Sequence, residues 1–310
     1  MALFMRKTLM ALKVEATEGS PETLAGTNCY LIRNATLTPL AGNTVAREFV
    51  RETFGNYGTI QLDQHVELSF EIEFSPTGTA GSAPAYADAL LCCGFEETLT
   101  PATSAVYSPV SGDFDSCTIE VFLDGIKHVM AGCRGNVSLN LSRGALPTLN
   151  FTFMGSYTAP SDTTPLTPDF TDFKVPLGPN SLNTPTVTLH GIDVCMESFN
   201  ADMANQTVFR DLPGCDPKAL LTNRQPAGTI VFEMTDVDTY AWVEAARLHT
   251  VDDLKIIHGT SAGSIITIDA PAVSFQPPSF QDSDGIMMCS MPIVFEPTSA
   301  GNDEFKLTYT

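Results

Sequence analysis

The stretch Gly259-Thr260-Ser261-Ala262-Gly263 matches the G-x-S-x-G pattern of a serine nucleophile. That chemistry needs a strained turn between a strand and a helix, with an acid and a histidine following later in the chain. Here residues 264–268 are β-type, and His258 is the last of the five histidines. The segment is therefore expected to be a glycine-rich hairpin turn, with a serine hydrolase built on Ser261 as the competing reading. Asp282-Ser283-Asp284-Gly285 resembles a fragment of a calcium loop but lacks the third acid before the glycine and the glutamate after it, so a turn is expected. The histidines (His65, His128, His190, His249, His258) and eight cysteines show no CxxC and no HxxxH. Cys117, His128 and Cys133 would need an accident of folding to converge. No phosphate-binding glycine loop is present. The Asn-x-Ser/Thr triplets at Asn34, Asn136, Asn140, Asn150 and Asn205 are chance matches in a chain rich in Ser and Thr. No catalytic, cofactor or metal residue is assigned.

The elements that would carry such residues are mostly strands. Val66, Leu68, Phe70, Ile72 and Phe74 alternate with Glu67, Ser69, Glu71 and Glu73, the signature of a strand with one wet face. Ile119, Val121 and Leu123 lead through Asp124-Gly125 into a second run at 126–131. An Asp-Gly pair between such runs marks a type I′ hairpin. Period-two alternation recurs at Leu149/Phe151/Phe153, Val187/Leu189, Ile230/Phe232 and Ile266/Ile268. Two short helices are expected. One spans 84–93, with Ser82 as cap and Gly94 as stop; the other spans 238–248, with Tyr240, Val243 and Leu248 as its apolar stripe. Trp242 and most of the 19 phenylalanines read as core.

The order of these elements repeats. Thr44-Val45-Ala46-Arg47-Glu48 recurs as Thr207-Val208-Phe209-Arg210-Asp211, and each copy precedes a strand, a helix and further strands. Val137-Ser138-Leu139 and Val273-Ser274-Phe275 each open a closing strand pair. Between the copies, residues 157–185 are rich in Pro, Thr, Asp and Asn and read as a linker. Arg47 and Arg210 stand out because cations are scarce. Local ion pairs with Glu48 and Asp211 are one reading and contacts between subunits the other.

The 310 residues carry 16 Lys+Arg against 36 Asp+Glu, a formal net charge of −20. A protein that grips nucleic acid neutralises phosphates with a basic face, so this balance excludes that class and disfavours anionic membrane surfaces. A hydrophobic fraction of 43% supports an ordered core. The apolar run at 8–12 is shorter than a secretory core segment, and no stretch is long enough for a transmembrane helix. The cysteines, including the adjacent Cys92 and Cys93, read as small buried residues in a reducing compartment.

Taken together, VEATEG at 14–19, TPLAGNTVARE at 38–48, PAYADALLCCGF at 84–95, IEVFLDGIKH at 119–128, HGTSAGSIITIDAP at 258–271 and SFQDSDGI at 279–286 resemble the major tail tube proteins of long-tailed, siphovirus-type bacteriophages, in the group with two tandem tube domains. The resemblance covers essentially the whole chain. It implies a mainly β fold of two tandem β-sandwich or barrel domains, each with one short flanking helix. The expected division is an arm at 1–25, domains at 26–157 and 186–297, a linker at 158–185 and a tail at 298–310. It further implies a non-enzymatic virion protein, assembled in the host cytoplasm, without cofactors and without membrane contact. Its rings would be trimeric with pseudo-sixfold symmetry and would stack into a tube that conducts viral DNA. Tape measure, tail terminator and distal tail proteins would be its partners. Glu67, Glu71 and Glu73 are candidate lumen-facing acids, and Arg47 and Arg210 candidate interface residues. Contacts along the tube axis are expected from the N-terminal arm, the insert at 50–64, the linker and the C-terminal tail. A β-sandwich decoration or receptor-binding virion protein would share the strand content and acidity.

Overall fold

The computed structural model describes residues 3–310. The first half comprises β1 (Thr8–Val14), β2 (Cys29–Tyr30), β3 (Arg33–Ala46) and β4 (Thr59–Glu73), then helix α1 (Ala87–Leu91). It continues with β5 (Phe95–Thr100), β6 (Ser104–Pro109), β7 (Cys117–Leu123), β8 (Ile126–Ser142), β9 (Thr148–Tyr157) and the short β10 (Ser161–Asp162). The second half comprises β11 (Thr186–Leu189), β12 (Ile192–Asp193), β13 (Met196–Asp202), β14 (Asn205–Arg210), β15 (Lys218–Arg224) and β16 (Ala227–Glu233). After helix α2 (Trp242–Leu248) come β17 (Val251–His258), β18 (Ile266–Phe275), β19 (Ser279–Ser283), β20 (Ile286–Phe295) and β21 (Lys306–Tyr309). The fold is mainly β, antiparallel throughout, consistent with a sandwich, and its sheet does not close into a barrel.

The order of neighbouring strands is the same in the two halves. In the first half the neighbours run β1, β7, β8, β9, β4, β3. In the second they run β11, β17, β18, β20, β16, β13. The halves are sewn together twice. Ser198–Asp202 of β13 pair with Ser142–Ser138 of β8, and Leu307–Tyr309 of β21 pair with Tyr107–Ala105 of β6. One hydrophobic cluster runs from Met10 through Phe70 and Phe151 to Phe232, Trp242 and Tyr309.

The type I′ turns follow their chemistry. Asp124 and Gly125 take φ of 48° and 103°, and Asp284 and Gly285 take 55° and 83°. Gly259-to-Gly263 lies in the β17–β18 hairpin loop, with Ser261 exposed.

Four expectations need correction. Both helices are shorter than expected, because Ala87 N–H bonds Pro84 O in a turn and Asp236 caps Thr239 in another, and Ser82 caps nothing. The buried stripe of α2 is Trp242 and Ala245, whereas Val243 and Leu248 are exposed. Six cysteines are buried, but Cys195 and Cys215 are exposed. Finally, the segments expected as peripheral arms are partly interior. Met10, Ala11 and Leu12 of β1 are 0% exposed, Leu307 and Tyr309 of β21 are 2% and 1% exposed, and residues 59–64 of the insert belong to β4. Residues 1 and 2 of the expected arm lie outside the described residues. Strand β7 is buried along both faces, and a second small cluster joins Ala11 of the neighbouring β1 to Leu24 and Cys29, with Leu9, Leu166 and Phe170 packed against it.

Candidate functional site

The residues whose types could do chemistry are occupied elsewhere. His258 Nδ1 accepts from Thr184 Oγ1 at 2.8 Å and its Nε2–H donates to Leu177 O at 3.0 Å, so the ring has no nitrogen left for Ser261. Burial holds the His258 imidazole below its usual pKa. His190 is arranged alike, between Tyr240 Oη at 2.7 Å and Val273 O at 2.9 Å. Cys117 and Cys133 are cross-strand partners, but His128 sits opposite Val121, and no group of three metal-ligating side chains occurs among the described residues.

What the fold does build is a broad polar sheet. Strands β3, β4, β9, β8, β13, β16, β20 and β19 form one unbroken antiparallel series across both halves. Strand alternation puts apolar Phe70, Leu149, Leu139, Phe199 and Ile230 on its core face. The other face is mostly polar, with Met154, Val231 and Pro292 among its apolar members. One row runs Glu73, Thr148, Asn140, Asn200, Thr229; the next runs Arg33, Glu71, Asn150, Ser138, Asp202. Glu67, Glu71 and Glu73 lie together on this face. Arg33 lies 3.8 Å from Glu71 and 3.7 Å from Glu73, leaving the face net acidic with Asp202. Among the described residues the series ends at β3, whose one strand neighbour is β4, and at β19, whose one strand neighbour is β20. Two backbone edges are thus left open, the usual template for pairing with another chain.

Two hairpin arms project at one end of this sheet. The distal part of β3 and β4 forms arm 1, and β14 with β15 forms arm 2, with register shifts that bend both. The repeated Thr-Val-x-Arg segments fall at the tips. Neither Arg47 nor Arg210 has a carboxylate within 4.0 Å among the described residues, so the local ion pairs with Glu48 and Asp211 are not formed; Arg47 instead lies over the Phe49 ring at 4.9 Å. Around them Val50 and Phe54 are fully exposed, and Phe49, Val45, Ile60 and Val208 about half so. A cluster of exposed apolar side chains on projecting hairpins is a surface built to be covered.

The polar groups that hold these parts in place were not legible in sequence, because their partners are distant along the chain. Glu15 is 8% exposed and its carboxylate accepts from Gly19 N, Ser116 Oγ, Thr118 Oγ1 and Gly132 N at 2.7 to 2.9 Å. Arg134 donates to Glu18, Phe114 O, Asp115 O and Ala219 O, tying arm 2 to the first half. Arg224 at the base of arm 2 pairs with buried Glu304 and donates to Val110 O at 2.6 Å. The one available signal was the VEATEG segment, whose two acids are Glu15 and Glu18.

No curated protein matches this chain. Residues 5–299 match the family model described as phage tail tube protein.

Proposed function

The chain belongs to the phage tail tube protein family, a structural component of the virion tail, and from that premise we propose that three copies close into a ring whose lumen is lined by the polar sheet face. The observation that carries this reading is the β8–β13 joint. It joins the two halves edge to edge inside one chain, and the open edges at β19 and β3 are the corresponding edges of the repeat. Pairing β19 of one copy with β3 of the next continues the same series, a heterologous contact that closes when the rotation per unit divides the circle. Six repeats per ring, three joints within chains and three between, give the pseudo-sixfold symmetry. The two repeats, residues 26–157 and 186–297, act as tandem tube domains joined by the linker at 158–185.

Rings then stack through the exposed arms. The acidic face, with Glu67, Glu71 and Glu73, turns inward and repels the phosphates of the passing DNA, which carry one charge per ~1.7 Å of axis. The protein has no catalytic role in this reading. Assembly in the host cytoplasm and contact with tape measure, terminator and distal tail proteins complete it. Negative-stain microscopy of the purified protein tests the proposal: hollow tubes or stacked rings with three-fold or six-fold end views are expected. Discrete monomers across all concentrations and salts would overturn it and favour a decoration protein.

A further inference from the structure

This inference rests on the ring reading and concerns how one copy engages the next. In the first half, the angle between β4 and the end of β9 is filled by arm 2 of the same chain. Phe209 stacks on His65 with ring centroids 5.0 Å apart, and Ser156 Oγ donates to Pro217 O at 3.2 Å. The second half has the same angle, between the base of arm 2 at 224–227 and the end of β20 at 294–297. There no arm enters, and a groove of about 940 Å³ is left. Glu304 lines it, 5% exposed, and its Oε2 is the one buried side-chain polar atom without a hydrogen-bond partner among the described residues. Glu296 and Glu304 face a single cation, Arg224, across the groove, so the missing occupant is cationic.

We propose that arm 1 of an adjacent copy fills this groove and brings Arg47 against Glu304. Arm 1 has the same Thr-Val-x-Arg tip as arm 2, its Arg47 has no carboxylate partner, and its first strand is the open edge β3 that the ring joint already brings to this side. The packing of arm 2 inside one chain is therefore the template for the seating of arm 1, and the Arg47 contact is added by the acidic lining of this groove.

The test is a cross-link between two different variants. Arg47→Cys and Asn302→Cys, each in a Cys195→Ser/Cys215→Ser background that removes the exposed thiols, are co-assembled and treated with a short bis-maleimide. Effective concentrations at a formed contact are on the order of millimolar, so the dimer band of the mixture is expected to exceed that of either variant alone roughly tenfold. A control pair, Arg47→Cys with Leu146→Cys at the far rim, sets the background. Assembly of the mixture with no dimer above that control would overturn the groove contact while leaving the ring intact. Failure of the Cys195→Ser/Cys215→Ser parent and of the unsubstituted protein to assemble at all would count against the ring itself.

Discussion

Glu15 shows how much one residue can organise here. A buried carboxylate with four donors converging on it joins the N-terminal segment, the start of β7 and the bulge of β8 at a single point. Two of those donors are main-chain amides that have no other partner in reach of the strand ladder. Replacing Glu15 by Gln turns one acceptor oxygen into a donor facing donors. The Glu15→Gln protein is expected to be destabilised by about 2–4 kcal/mol, read as a lower denaturation midpoint with an unchanged slope. Glu15 was visible in the sequence only as one acid among 36. Its role depends on residues about a hundred positions away, so no local pattern could disclose it. The same holds for Arg134 and for the Arg224–Glu304 pair.

At the level of elements, the strands were legible because alternation is a local consequence of burying one face, and the Asp-Gly turns because few other residues accept positive φ at successive positions. The helices were legible in existence but not in extent. Each is flanked by a turn whose hydrogen bonds compete with the first helical turn, and α2 buries Trp242, not the stripe that spacing favoured. Which strands share a sheet was not legible, since β8–β13 and β6–β21 join segments far apart in sequence. The linker also gained a definite attachment. His258 holds it through Thr184 and Leu177, and burial favours the neutral ring in which Nδ1 accepts from the Thr184 hydroxyl. Burial lowers the folded pKa, so as pH falls through the ordinary value of ~6.5 the unfolded chain takes up a proton that the folded one refuses. Stability contributed by this neutral histidine is complete above that value and declines below it. Amide exchange at residues 177–184, corrected for its intrinsic dependence on pH, is therefore expected to accelerate as pH falls from about 7.5 to 5.5. In a His258→Gln variant that acceleration should be absent, and an unchanged profile would show that the linker is held by other contacts.

For the whole molecule the net charge of −20 acquires a direction. On the polar sheet face, acids outnumber cations, and most other cross-strand neighbours of the first half are Thr, Ser and Asn, which hydrogen-bond water without attracting phosphate. Converting Glu67, Glu71 and Glu73 to Lys changes each copy by six charges at positions that point away from the core. Tubes should still form. The variant tubes are expected to retain DNA at about 50 mM salt and release it near 200 mM, with parent tubes retaining none at either; equal behaviour of the two would place these residues outside the lumen.

The pairing of β8 with β13 also has a kinetic meaning. In a ring of six repeats made from six separate chains, every joint must be found by diffusion. In the proposed three-copy ring, alternate joints would be formed when a chain folds, at the high local concentration that a covalent tether provides. Such a ring would need two encounters between chains where five would otherwise be required, and each arriving copy would bring two repeats already in register. Partial rings are correspondingly fewer in kind, which limits the number of ways a growing tube can stall on an incomplete layer.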